Sequence, residues 1–405
     1  MAVRTPQGRP PWFCSAQRSG GYLCCARGAD IVSDMLLSSS RRVRLLIAVS
    51  AAALTAFACG GGSAPASTST STPAAPAPAS PAGPRIYVSD ETGTEVVVID
   101  PAAGQVVQKI AIGKRPRGVR LSPDGASLYV ALSGSPIGGP GVDESKLPPA
   151  DRAADGIGMI DVASHSVVRK YKSGDDPEAF DISADGKTLY VSQEDEGTLS
   201  ILDLQSGDVR KKVKVGDEPE GVTVRPDGKV VYATSEGNGT VTAVDTATLA
   251  AIATIKTGPR PRSIMFTKDG ATGFVACENA GVLTVFDAAT GTVKTTIQLP
   301  KIEGAPTPPR PMGQVLSPDG SRLFVSLGRA KAIAVIDTAS LSVVGTINDV
   351  GARPWGIGIS ADGRKLYTAN GPSGDVSVID IATSKVETRI ATGGSPWGVA
   401  VAAAK

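Results

Sequence analysis

Seven times along this chain an aspartate closes a run of β-branched and apolar residues, at Asp100, Asp161, Asp203, Asp245, Asp287, Asp337 and Asp380. No other feature constrains the fold as strongly. Each aspartate follows an aromatic residue, at Tyr87, Tyr129, Tyr190, Tyr232, Phe274, Phe324 and Tyr367. A proline recurs in the same frame, at Pro116, Pro177, Pro219, Pro261, Pro311, Pro354 and Pro396, and each of the first six lies 13 residues before the next aromatic. The aromatic-to-aspartate step is also 13 residues, except for 32 between Tyr129 and Asp161. Seven units spaced near 42 residues predict an all-β fold, a seven-bladed β-propeller with four antiparallel strands per blade.

One unit shows the expected strands. After Pro219 comes strand A (221–224), an Asp227-Gly228 turn, strand B (230–233), strand C (241–244) and strand D (251–255). Asp-Gly suits the turn because glycine tolerates positive φ and aspartate caps its own turn. The array opens on a strand B at Ile86 and ends on a strand A at 397–401. Strands from the two ends of the array are therefore expected to share one closing blade, which leaves the ring without an open seam.

Composition agrees where it bears on the fold: 47 glycines, 30 prolines and only 4% aromatics suit short strands and tight turns. Seven of the 41 basic and two of the 39 acidic residues precede Cys59, so the rest of the chain carries a net charge of −3. A slightly acidic domain has no electrostatic footprint for nucleic acid or for anionic lipid. Of five cysteines only Cys277 falls within the repeats, which excludes an intramolecular disulfide or a zinc site there. The fold points to a monomer.

The front of the chain reads as a targeting segment. Arg41, Arg42 and Arg44 precede an apolar run at 45–58, too short to span a bilayer and the right length for a signal-peptide core. Met35 stands just ahead of it, so residues 1–34 read as an over-long start, 35–58 as the signal peptide and 85–405 as the propeller. Ala56-Phe57-Ala58 satisfies ordinary signal-peptide cleavage, whereas Cys59 followed by Gly60-Gly61-Gly62-Ser63 resembles a bacterial lipobox with alanine in place of the usual leucine. Lipidation at Cys59 is the expectation, with simple cleavage as the alternative. Residues 59–84 carry no charge and read as a disordered Ala/Pro/Ser/Thr tether. The expected location is the periplasm or cell envelope, with membrane contact only through the lipid.

Several segments carry a narrower likeness: GKRPRGVRLSPDG, GDDPEAFDISADG, GDEPEGVTVRPDG, GPRPRSIMFTKDG, GARPWGIGISADG and the terminal GSPWGV. With LYTANG at 366–371 they resemble the YVTN-type propeller repeat, and most closely the β-propeller proteins associated with PQQ-dependent catabolism. The likeness runs over 86–401 and includes the order Arg, Glu, Glu, Arg, Trp, Trp after the prolines. It implies an exported accessory protein of quinoprotein alcohol or aldehyde oxidation, without assigned catalytic activity. The implied partner is a quinoprotein dehydrogenase or a cytochrome c. Nothing resembles a PQQ docking motif, so no cofactor is expected. The lipoprotein-like front and the long loop 134–156 depart from that family.

Repetition separates scaffold from site. A residue present in every unit is dictated by folding, whereas an aligned position that varies is free to carry function. The seven aspartates are therefore expected to accept backbone N–H groups at the C–D turns, and the seven aromatics to be core. The residue after each proline varies: Arg117, Glu178, Glu220, Arg262, Met312, Trp355 and Trp397. As the first residue of the innermost strand, each would ring one mouth of the central channel. This ring is the candidate ligand or partner site, the alternative being a plug in which Arg117 and Arg262 pair with Glu178 and Glu220. Glu91, Glu194, Glu236 and Glu278 follow strand B at one aligned position and face the same mouth. They could hold a divalent cation, or pair with Arg115, Arg260, Arg310 and Arg353 before the prolines, which is the commoner use of such charges. No metal is assigned. His165 falls in an outer C–D turn, and Cys277 packs as a small hydrophobe or presents a thiol at the mouth.

Three functions are compatible with these residues. The first is a non-catalytic binding or accessory propeller, taking a small molecule or partner at the funnel mouth. The second is a lactonase-like hydrolase, for which the ring lacks a histidine base and would rely on a glutamate such as Glu220. The third is a surface adhesion or scaffold module. Two insertions, at 134–156 and around 300–310, converge on the mouth face.

Overall fold

In the computed structural model, residues 83–138 and 143–403 are described; Cys59 and the segments read above as an over-long start (1–34) and a signal peptide (35–58), with nearly all of the stretch read as a tether, lie outside them. Among the described residues, 28 strands form seven four-stranded antiparallel sheets. Blades are numbered here by their innermost strands, A: Pro116–Leu121, Pro177–Ile182, Pro219–Val224, Pro261–Phe266, Pro311–Leu316, Pro354–Ile359 and Pro396–Ala402. The protein is a seven-bladed β-propeller. Blade 7 combines both ends of the array, in the order Pro396–Ala402, Arg85–Asp90, Glu95–Asp100, Gln105–Ala111.

Strand A differs from expectation in one respect: it starts at the proline itself, so the varied residue is its second, not its first. Proline is tolerated at the first position of a strand, where its missing N–H breaks no ladder bond. A bulge follows at once in every blade; in blade 3, for example, Pro219 pairs with Ser235 but Val222 with Ala233. The same shift recurs in the other six. A bulge re-aims the side chain it displaces, and here the displaced residue is the one that varies.

The core is seven wedges between neighbouring blades rather than one centre. Phe274, Ala276, Leu283 and Val285 of blade 4, for instance, pack on Leu323, Val325, Ala332 and Ala334 of blade 5. All seven repeated aromatics are buried, as expected. Five of the seven aspartates cap C–D turns in the pattern of Asp245, whose Oδ1 accepts the N–H groups of Ala247 and Thr248 at 3.1 and 2.7 Å; Asp161 accepts that of Ser164 and Asp380 that of Thr383.

Near the axis, buried hydroxyls on strand B stitch blade to blade. Ser192 Oγ accepts Ala179 N–H in its own blade at 3.1 Å and donates to Glu220 O in the next at 2.8 Å. Ser326 does the same with Gly313 N–H and Trp355 O, and Ser89 with Gly398 N–H and Arg117 O. Glycine is required beside these bonds: a Cβ on Gly118 would stand 2.6 Å from Glu178 O, and one on Gly356 2.6 Å from Trp397 O. His165 is half-buried rather than a plain surface residue. Its Nε2 meets the Tyr87 hydroxyl at 3.1 Å and its Nδ1 meets Gln108 Oε1, so it clips blade 1 to blade 7. Burial and the charge of Arg85 hold its pKa below the usual value, which keeps the ring neutral in that clip.

Candidate functional site

The mouth is built from two backbone devices repeated round the axis. The bulge displaces the post-proline residue, and the residue before the proline adopts left-handed φ: Arg115 (42°), Asp176 (53°), Glu218 (50°), Arg260 (56°), Arg310 (57°) and Arg353 (51°). For non-glycine residues this conformation costs about 1–3 kcal/mol each and persists only where the surroundings impose it. Six charged side chains are thereby fixed at one rim.

Blades 1 to 4 contribute a charged half. Arg117 is 1% exposed, and its Nη1 donates to Glu178 at 2.9 Å and Glu194 at 3.2 Å, while Nη2 donates to Asp176 at 2.6 Å and Pro177 O at 3.1 Å. Burial alone would depress this guanidinium, but Glu178, Asp176 and Glu194 outweigh it and raise its pKa. Arg262 forms the second hub, with Nε donating to Glu278 at 2.7 Å and Nη1 paired with Glu220 and Glu236. Arg260 bridges Glu236 and Glu278 at 2.9 and 3.0 Å, and Arg310 reaches Glu278 at 3.0 Å. The three arginines outweigh burial and hold Glu278 below the usual carboxylate range. Glu236 is different: burial outweighs Arg260 and, with Glu194 and Glu278 nearby, pushes it up to about 8. Glu194, with 34% of its side chain still accessible, is pushed up to about 8 by enclosure in the wall and by Glu178, against Arg117.

Blades 5 to 7 contribute an aromatic half. Gly328 and Gly371 stand where the other blades place a glutamate or serine. Trp355 and Trp397 stack with ring centroids 5.7 Å apart and planes at 22°, and the Arg262 and Arg353 guanidiniums lie 5.1 and 4.5 Å from the Trp355 ring. Met312 is buried beside them. The channel between the A strands encloses about 210 Å³, lined by Glu220, Arg262, Met312, Trp355 and Trp397 among others.

Five of the seven post-proline residues line this channel, and Glu194, Glu236 and Glu278 join its arginines in ion pairs. Arg117 and Glu178 are set too deep to line the channel, and Arg117 and Arg262 make the pairs with Glu178 and Glu220 that the plug reading names. The carboxylates Glu91, Glu194, Glu236 and Glu278 each face a guanidinium. Cys277 is fully buried with its Sγ 3.3 Å from Thr284 Oγ1, so the thiol-at-the-mouth alternative falls. Sequence reasoning missed Asp176 and Ser133, whose hydroxyl donates to that carboxylate. Asp176 stands in the pre-proline column beside four arginines, and that column was legible. The described part of the long loop is tied at the mouth face by Lys114–Asp151 at 2.6 Å and by Arg152 to Asp195.

Fold and mouth together define a seven-bladed propeller with one bipartite polar–aromatic end. Residues 142–228 match the model of the YNCE-like beta-propeller family and 218–307 that of the lactonase, 7-bladed beta-propeller family. The chain is similar to the uncharacterized protein YncE of Salmonella typhimurium, 30% identical over 117 residues, which are 29% of this chain and 28% of that protein. It is 29% identical over 108 residues to Antigen Lp49 of Leptospira interrogans, covering 27% and 23%. These matches therefore span under a third of the curated relatives. Among solved structures, the Pseudomonas aeruginosa periplasmic gluconolactonase PpgL superposes with a TM-score of 0.64 at 21% identity, over 80% of this chain and 99% of that one. A putative 6-phosphogluconolactonase from Bacteroides uniformis gives 0.64 at 17%, over 79% and 100%. At such identities the likeness speaks for the fold.

Proposed function

We propose that this propeller is a non-catalytic recognition module, exported and held at the cell envelope by lipid on Cys59, which binds a small molecule or a partner protein at its mouth. The observation that carries this reading is the stacked Trp355–Trp397 pair, half-buried at the channel while the charges of the opposite half are neutralised among themselves. Aromatic faces beside convergent polar groups are the usual geometry of a binding site. The sequence resemblance makes a quinoprotein alcohol or aldehyde dehydrogenase, or its cytochrome c, the partner to test. Calorimetric titration with those proteins is expected to show binding that Trp355→Ala with Trp397→Ala abolishes, while the melting temperature stays within a few degrees. Unfolding of the double variant would mark the ring as a plug. For the anchor, Cys59→Ser is expected to move the protein from the membrane to the soluble fraction; a wild type that is already soluble and starts at an unmodified Cys59 would speak for simple cleavage.

A hydrolase reading has one specific support. Burial and neighbouring carboxylates push Glu194 and Glu236 up to about 8, the range a general base needs, and Glu236 lies within the segment matching the lactonase model. On that reading, gluconolactone turnover rises with pH through about 8 as the carboxylate deprotonates, and Glu236→Gln removes it. No turnover above the uncatalysed rate would leave recognition alone.

A further inference from the structure

Guanidiniums before the prolines answer carboxylates that follow strand B of the preceding blade. Arg115 of blade 1 meets Glu91 of blade 7 at 3.1 Å, Arg260 of blade 4 meets Glu236 of blade 3 at 2.9 Å, and Arg310 of blade 5 meets Glu278 of blade 4 at 3.0 Å. By the same register Arg353 of blade 6 answers position 328 of blade 5, which is glycine. Arg353 accordingly makes no ion pair and no hydrogen bond among the described residues; its guanidinium lies over the Trp355 ring instead. The space beside Gly328 is tight, since a Cβ there would stand 3.0 Å from Met312 Cγ and 3.3 Å from Arg310 O. Burial, with the charges of Arg262 and Arg310, outweighs the more distant Glu278 and Glu91 and depresses the Arg353 pKa, as for a cation without a directly paired carboxylate.

A partly buried guanidinium without a carboxylate is costly, and the cost disappears when an anion arrives. A cationic ligand would meet Arg262, Arg310 and Arg353 together. A neutral ligand would cover Arg353 and strip its remaining water without replacing it. The near-parallel indoles offer flat apolar surface next to that charge, which favours a flat ring over an alkyl chain. Building on the mouth as a recognition site, we propose that its ligand is a planar conjugated carboxylate, with its ring against the Trp355–Trp397 stack and its carboxylate on Arg353, where blade 5 lacks a glutamate.

Calorimetric titration of the full chain with 2-naphthoate tests this, with 2-naphthalenemethanol as the neutral probe and cyclohexanecarboxylate as the non-planar anion. 2-Naphthoate is expected to bind at least about tenfold more tightly than either, the effect of one charge-assisted contact. Arg353→Met should remove that preference, bringing 2-naphthoate to or below the affinity of the alcohol. Gly328→Glu is expected to place the absent carboxylate beside Arg353 and block 2-naphthoate, with Met312 shifting to admit the new Cβ. Equal affinity for the naphthoate and the alcohol in the wild type, or an Arg353→Met variant that still prefers the anion, overturns the proposal. If the alcohol binds and the double tryptophan variant loses it, the recognition site survives that failure. If none of the probes binds, this proposal fails, and the titration with partner proteins decides the recognition reading. Should Gly328→Glu unfold, Arg353→Met decides.

Discussion

Deletion of residues 396–405 is expected to abolish cooperative unfolding. Pro396–Ala402 is the innermost strand of blade 7 and pairs with Arg85–Asp90 from Arg85↔Ala402 to Val88↔Val399. Without it, Arg85–Asp90 becomes an open edge and a gap opens between the A strands of blades 6 and 1. The Ser89 hydroxyl loses Gly398 N–H, and the wedge between blades 6 and 7 loses Val399 and Val401. Blade 7 also packs on blade 1 through Tyr87, Val96 and Val98, so the damage reaches both neighbours. A domain of this kind is stable by only about 5–15 kcal/mol, and losing a closing strand exceeds that margin. Circular dichroism during heating should show a broad, non-cooperative loss of signal, or the protein should be recovered insoluble. A truncated chain that melts like the full one would mean the ring closes by other contacts.

Arg117→Met is expected to be the most damaging single change at the mouth, at about 3–5 kcal/mol. Methionine keeps most of the volume but leaves Asp176 and Glu178 buried, with Glu194 beside them, all facing one another without their common cation. The sign with pH follows. In the variant the folded carboxylates bind protons more tightly than the unfolded ones, so stability rises as pH falls through the range between the two pKa values. The loss in urea midpoint should therefore be larger at pH 8 than at pH 5. Equal midpoints for variant and wild type at pH 8 would show that water, not Arg117, balances these acids. The contrast with Arg353→Met is direct: one arginine neutralises three acids, the other none.

Much of the propeller was legible before any coordinates. Proline, aromatic and aspartate recur because each answers a local demand: a strand start without a ladder N–H, a wedge to fill, and a turn to cap. Those demands act within some 40 residues, so spacing alone exposes them, and the shared closing blade follows from counting strands at the two ends. The variable column was equally visible, as were the arginine and glutamate columns beside it. What the letters do not carry is which blade faces which across the axis. Arg117 reaches Glu178 and Glu194 because adjoining blades bring them together, over 61 and 77 positions of sequence. The stacking of Trp355 on Trp397, the burial of Arg117 against the half-open indoles, and the pairing of Arg115, Arg260 and Arg310 with the previous blade are likewise products of ring closure. The repeat pattern by itself determined seven blades and named the rim residues, because short-range hydrogen bonding and burial dictate them. The partners of those residues, and so the isolation of Arg353, were decided only by tertiary structure, because electrostatic pairing depends on distances that the closed ring sets.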